Sequence, residues 1–206
     1  MPTATATIPT PKLPPDQISD LLYLSRTGET TNLTSTLTHL AKNLSTTPSA
    51  LLATTTDPET GNTLLHMASA NGHTETITCL VALFASTASS ARLAMLDRRN
   101  GAGNAPLHWA ALNGHLDAVK ELVGAGADLD GTNGAGRKAV DEAEGAGRVE
   151  VREWLRVRGK EVGEAEEGAE DGEGVEDGEV ERWGAEDGEG SGVGEQDVGG
   201  AGVGKS

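Results

Sequence analysis

Residues 105–130 read APLHWAALNGHLDAVKELVGAGADLD, and their spacing decides the fold. Leu107, Ala110 and Ala111 fall on one face of a short helix, and Leu116, Val119, Leu122 and Val123 on one face of a second. Pro106 stands where the first helix begins, Gly114 separates the two apolar stripes, and Gly126 stands where the second helix ends. The stretch therefore predicts two antiparallel helices joined by a tight turn. Such a hairpin cannot bury its apolar face alone and needs neighbours of the same shape, so it predicts a stacked array that presents a binding surface.

The neighbours are legible. Residues 62–81, NTLLHMASANGHTETITCLV, repeat the pattern: Gly61, Thr63, Leu65, His66, Ala68, Gly72 and His73 match Gly103, Ala105, Leu107, His108, Ala110, Gly114 and His115. Ile77, Leu80, Val81 and Phe84 repeat the second stripe, with Cys79 beside it and read as a core residue. Downstream, residues 136–155 keep the register through Val140, Ala143, Val151, Trp154 and Leu155, and Gly147 follows Gly114 by 33 residues. There Arg152 replaces an apolar residue among Arg148, Glu150, Glu153 and Arg156, as expected of a terminal cap facing water. Gly72 and Gly114 are 42 residues apart, so nine extra residues enter the connection at 82–100, as a longer finger or an extra helical turn. Upstream, residues 21–40 have a helix, Gly28, helix outline.

The period and the Thr-x-Leu-His or Ala-Pro-Leu-His turn resemble the ankyrin repeat. The resemblance implies an all-α ankyrin-repeat solenoid of about four units (16–56, 57–99, 100–132, 133–160), flanked by disordered tails at 1–15 and 161–206. Thr63 is placed to cap the first helix of its unit. Ala105 lacks the corresponding hydroxyl, a loss of about 0.5–2 kcal/mol.

Charge is concentrated at one end. Residues 161–206 carry 16 acidic and 2 basic residues, net −14, against −2 for residues 1–160. Half of the 28 glycines lie there too, which leaves too little apolar surface to offset the entropy of folding. The tail reads either as a solubilising spacer or as a polyanionic arm for a basic partner. Its 46 residues, if flexible, span about 35–40 Å, comparable with a stack of four helix pairs at about 8–10 Å each. The same charge disfavours direct nucleic-acid binding.

The single cysteine, Cys79, excludes an internal disulfide and fits a reducing compartment. The N-terminal MPTATATIPTPKLPPDQ has no secretory or mitochondrial targeting pattern, and the longest apolar run, residues 80–85, is too short for a membrane span. Two glycosylation sequons, Asn32-Leu33-Thr34 and Asn43-Leu44-Ser45, read as chance matches in a Thr-rich segment.

Catalysis, metal and cofactor find no support. His66 and His108 fit the motif's structural role, bridging backbone groups of adjacent turns, and neither has a Cys or carboxylate cluster beside it. His73 and His115 have the same status. No nucleophile and base recur in a catalytic spacing. Residues 199–206, GGAGVGKS, match a phosphate-loop pattern formally, but they lack the flanking strand and helix such a loop requires, so nucleotide binding through Lys205 is a remote reading.

The ankyrin resemblance implies binding through the turn tips and the concave face of the first helices. These positions are Glu59, Asn62, Met67, Ala70 and Asn71, then Asn104, Trp109, Leu112 and Asn113, and Arg137. Trp109 is either the anchor of the contact or a packing residue between repeats.

A narrower resemblance is carried by Leu65 to Ala68, Ala70 to His73, Glu75 to Thr76 and Asn104 to Lys120, with the enlarged connection before Asn100, the polar EAEGAG unit, TPSALLATT and the acidic tail. In these features the chain resembles the family of small fungal ankyrin-repeat chaperones of small-subunit ribosomal protein S-three. The resemblance implies a monomeric, non-catalytic carrier that binds one newly made basic client, keeps it soluble and accompanies it from cytoplasm to nucleus. A different class, an ankyrin adaptor in a signalling, transcription or proteasome-assembly complex, would be distinguished by a neutral or acidic partner.

Overall fold

The computed structural model describes residues 13–85 and 87–170. Its helices are α1 (Pro15–Thr27), α2 (Thr30–Asn43), α3 (Pro48–Thr54), α4 (Leu64–Ala70), α5 (Thr74–Ala82), α6 (Ser89–Leu96), α7 (Pro106–Asn113), α8 (Leu116–Gly124), α9 (Ala139–Gly145) and α10 (Val149–Glu170). The only strand-like pairing among the described residues is an isolated antiparallel bridge between Thr56 and Thr63. Four helical hairpins, α1–α2, α4–α5, α7–α8 and α9–α10, form the expected all-α solenoid.

The first helices stack in the order α1, α4, α7, α9, and behind them α2, α5 and α8 stack in the same order. One continuous apolar core runs between the rows, from Leu21, Leu33 and Leu37 through Leu65, Ile77 and Leu80 to Leu107, Val119 and Leu122, closing on Ala143, Val151 and Leu155. Ala68, Ala110, Ala111 and Ala118 are buried in this core, where a short side chain lets helices approach closely. Cys79 is half-buried and lies at the margin of the core. Thr76, Ile77 and Leu80 occupy the inward face of α5, so the cysteine falls on its flank.

Local chemistry fixes the ends. Pro15, Pro48 and Pro106 each stand in the first turn, where a missing N–H costs nothing. After α8, Gly126 takes a left-handed φ of 100°. Its N–H bonds to the Val123 carbonyl at 3.0 Å and that of Ala127 to the Leu122 carbonyl at 3.0 Å, the paired closure that only a residue tolerant of positive φ permits.

Two elements fall outside the repeat period. The extra residues of the enlarged connection form a separate two-turn helix, α6, which seats Met95 and Leu96 in the core. The segment TPSALLATT forms α3, which the sequence pattern did not anticipate. Thr47 Oγ1 accepts the Ala50 N–H at 3.2 Å, and Leu51 and Leu52 are buried. The two border one cavity: Leu52 and Ala53 of α3 and Ala91, Ala94 and Met95 of α6 line a 250 Å³ crevice, and the guanidinium of Arg98, just after α6, donates to the Ala53 carbonyl.

The boundaries also shift. Leu13 is buried, so the body begins before residue 16, and α10 continues through EVGEAEEGAE to Glu170, past the expected end at 160. Glutamate and alanine are strong helix formers, and they carry a helix already started on the body past Gly163 and Gly168, each of which costs only about 1 kcal/mol relative to alanine. No helix among the described residues is long and apolar enough to cross a membrane. Residues 199–206, with Lys205, lie outside the described residues, as do most of the two terminal segments expected to be disordered.

Candidate protein-binding face

Each hairpin turn carries a left-handed glycine, and these glycines set a common register. Gly28, Gly72, Gly114 and Gly147 have φ of 75°, 72°, 84° and 68°. Directly after them, His73 Nε2 reaches the Arg26 carbonyl at 2.8 Å, His115 Nε2 the Ala70 carbonyl at 3.0 Å, and Arg148 Nε the Leu112 carbonyl at 3.1 Å. Each hairpin after the first thus grips the end of the preceding first helix, and in the last unit arginine replaces histidine. The grip leaves no room for a side chain: a Cβ on Gly72 would lie 2.6 Å from the His115 ring.

The other two histidines hold the turn tips. His66 Nδ1 accepts the Thr63 N–H at 3.2 Å, and its Nε2 lies 2.8 Å from the Asn104 carbonyl of the next unit. His108 repeats this with the Ala105 N–H at 3.3 Å and the Arg137 carbonyl at 3.1 Å. Burial lowers the pKa of His66 to about 4 and that of His108 in the same direction, so both rings stay neutral at pH 7. These are structural imidazoles, each with both nitrogens engaged.

An asparagine ladder runs beside them. Asn100 donates to Asn62 Oδ1 and Asn133 to Asn104 Oδ1, both at 2.8 Å. Asn100 Oδ1 in turn accepts the N–H groups of Ala102 and Asn104, and Asn133 Oδ1 those of Ala135 and Arg137. Asn133 also donates to Glu142 Oε1 at 2.6 Å, and the same oxygen pairs with Arg137 Nη2 at 3.0 Å.

The residues expected on the binding face divide accordingly. Glu59 is exposed in the turn before α4 and Asn71 at the C-terminal end of that helix, and Arg137 is exposed but paired with Glu142. Asn62 and Asn104 are half-buried members of the ladder. Asn113 donates to the Ala70 carbonyl at 2.7 Å, so both of those positions hold units together. Met67, Trp109 and Leu112 are half-buried along the first helices, and the indole N–H of Trp109 is enclosed without a partner among the described residues. Since α4 packs on α7, Met67 and Trp109 stand on adjacent helices.

One exposed member of a row on this face, Tyr23, escaped the sequence reading. Met67 and Trp109 lie five residues before Gly72 and Gly114, and the same count back from Gly28 and Gly147 gives Tyr23 and Glu142. Tyr23 is 54% exposed. With Asp20, Arg26, Asp57, Pro58, Glu59 and Met67 it lines an open cleft of about 730 Å³ between α1 and the turn before α4. The missing turn motif in the first unit hid this register, although Gly28 alone was enough to set it.

Comparison with known proteins agrees with this geometry. The family model described as ankyrin repeats (3 copies) matches residues 37–133. Among solved structures, the complex of the yeast ribosomal protein Rps3 with its chaperone Yar1 matches with a TM-score of 0.62 and 32% identity, covering 69% of this chain and 93% of the chaperone chain. No curated protein matches by sequence. A stack locked through its turn histidines, matched by the ankyrin-repeat model and by a relative over nearly that relative's whole length, places the chain in the ankyrin-repeat family.

Proposed function

We propose that this chain is a dedicated chaperone of a small-subunit ribosomal protein of the Rps3 kind, binding it one to one without catalysis. The observation that carries the reading is the likeness to Yar1, a chaperone solved with Rps3, at 32% identity over 93% of that chain. Charge supports it: the net charge of −16 complements a protein whose basic patches are made for RNA, and shielding those patches keeps such a protein soluble until RNA competes for them. The binding face consists of the exposed and half-buried positions Glu59, Met67, Ala70, Asn71, Trp109, Leu112 and Arg137, with Asn62 and Asn104 shaping the tips and Asn113 joining the ends of α4 and α7. A chaperone of this kind acts in the cytoplasm, where its client is made, and in the nucleus, where the client is assembled.

Co-expression with the Rps3 of the same organism tests the reading. The expected result is a one-to-one complex on size exclusion and loss of the client's aggregation at near-physiological salt. An Rps3 that aggregates equally with and without the chain, and never co-elutes, refutes it.

A further inference from the structure

We infer that the cleft between α1 and the turn before α4 anchors the basic client through an arginine or lysine side chain laid against Tyr23, with Asp20, Asp57 and Glu59 around it. This rests on the chaperone reading and assigns it a site at the first unit. Tyr23 is the one aromatic among the exposed large apolar side chains of the described residues, and it begins the row continued by Met67 and Trp109. A tyrosine ring offers both contact area and a negative face for cations. The cleft displays that preference internally, since the guanidinium carbon of its own Arg26 lies 5.9 Å from the Tyr23 ring centroid.

The carboxylates are free to receive a second cation. Asp20 and Glu59 are exposed, and neither side chain makes an ion pair or hydrogen bond among the described residues. Asp57 accepts from Thr60 Oγ1 at 2.7 Å and from the Glu59 N–H at 3.0 Å, which fixes its carboxylate at the rim and holds its pKa below the usual aspartate value. Among the described residues Arg26 is the only cation lining the cleft, against three carboxylates, so the field they set there attracts positive charge and repels phosphate. Met67 closes the inner wall with a side chain that adapts to the aliphatic stem of an arginine or lysine.

Arg26 gives the inference a sign. It occupies the ring face that the client's cation would take and adds like charge, so its removal strengthens binding of a basic client and weakens binding of an acidic one. The affinity of the intact chain for Rps3 is to be measured at fixed salt for the wild type, Tyr23→Ala, the double variant Asp20→Asn with Glu59→Gln, and Arg26→Ala. Tyr23→Ala and the double variant are expected to weaken binding at least five-fold, and Arg26→Ala to tighten it at least two-fold. All four side chains are exposed, so thermal melting stays at the wild-type value. Unchanged affinity in the first two, or weakening in Arg26→Ala, overturns the inference and leaves the chaperone reading standing. Failure of the wild type to bind Rps3 ends that reading instead. The cleft is then judged by NMR titration with acetyl-Arg-Leu-Arg-amide against acetyl-Glu-Leu-Glu-amide. Shifts at Tyr23, Glu59 and Met67 with the arginine peptide alone support the site, and any other pattern overturns it.

Discussion

His66 Nε2 stands 2.8 Å from the carbonyl oxygen of Asn104, so a ring in the second unit secures the turn of the third. The contact requires a neutral imidazole. Nδ1 already faces the Thr63 N–H at 3.2 Å and the Thr63 hydroxyl at 2.8 Å, and a proton placed there would set the N–H against the donor of Thr63. Burial adds the larger penalty on charge.

Stability should therefore fall with mild acid. The unfolded chain protonates His66 near its ordinary value of 6.5 and the folded chain near 4, so between these values the unfolded state binds more protons. The stabilisation is complete above pH 6.5 and is lost as pH falls toward 4, up to about 3 kcal/mol from this ring. His108 acts in the same direction. Urea unfolding at pH 7.5, 5.5 and 4.5 measures it: wild type should lose stability steeply across the series, and His66→Gln should start lower and lose less. Parallel losses in both proteins would show that the ring does not carry the effect.

Ala105→Thr should stabilise the third unit. Ala105 has φ −85° and ψ 165°, close to the −96° and 170° of Thr63, whose hydroxyl accepts the His66 N–H. At Ala105 only the reverse half of that arrangement exists, the Ala105 N–H bonding to His108 Nδ1 at 3.3 Å. Restoring the hydroxyl should add about 0.5–2 kcal/mol, seen as a rise of a few degrees in the melting temperature. A lower melting temperature would mean that the buried site has no room for the added atoms.

Glu142 is the charged side chain that the apolar pattern could not place. It is 7% exposed, accepts from Asn133 and pairs with Arg137, closing the asparagine ladder at the last unit. Glu142→Ala leaves the Asn133 amide without this acceptor and should cost about 1–3 kcal/mol, while Glu142→Gln retains an acceptor and should cost less. Hydrogen exchange resolves the site of the loss: amides of α9 and of the turn at Asn133 should exchange faster in the alanine variant, with those of α4 and α5 unchanged. Uniform acceleration along the whole array would instead indicate one cooperative unit without a weaker end.

What the sequence made legible was whatever obeys the period. Leu107, Ala110, Val119 and Leu122 and their second-unit counterparts Leu65, Ala68, Ile77 and Leu80 are buried where the spacing puts them, because adjacent inner repeats bury the same positions. The helices α3 and α6 lie outside the period and border one crevice, a relationship no repeat pattern contains. Arg148 was read as a solvent-facing cap residue, yet it performs the task of His73 and His115, since a guanidinium Nε–H donates to a carbonyl as an imidazole N–H does. On the binding face, Met67 and Trp109 followed from the motif. Tyr23 did not, because its unit lacks the turn that advertises the register, and Asn62, Asn104 and Asn113 proved to be tied to neighbouring backbone or side chains.

Trp109→Ala separates the two readings of that residue. Its half-burial and enclosed indole N–H favour packing between units, and truncation in that case costs about 3–5 kcal/mol and melts the array early. If the ring serves the client, the variant keeps its melting temperature and loses affinity for Rps3. Melting and affinity measured on the same preparation decide between them.

Removing residues 171–206 tests the acidic segment while keeping the whole of α10 as described, Val149–Glu170. These residues hold 11 acidic and 2 basic side chains, a net charge of −9. None of the core residues from Leu13 to Leu155 lies among them, so the helical signal and the melting of the array should be retained. Client affinity should fall, and its dependence on salt should flatten, because salt screens the removed charges more than it weakens buried apolar contact. Each exposed pair contributes only about 0–1 kcal/mol, but several acting together on a tethered partner amount to a few. Affinity measured from 50 to about 500 mM salt distinguishes the outcomes, since the Debye length shortens from above 10 Å to below 5 Å over that range. Equal affinities and equal salt slopes in the two proteins would reduce the segment to a solubilising extension and leave recognition to the helical face.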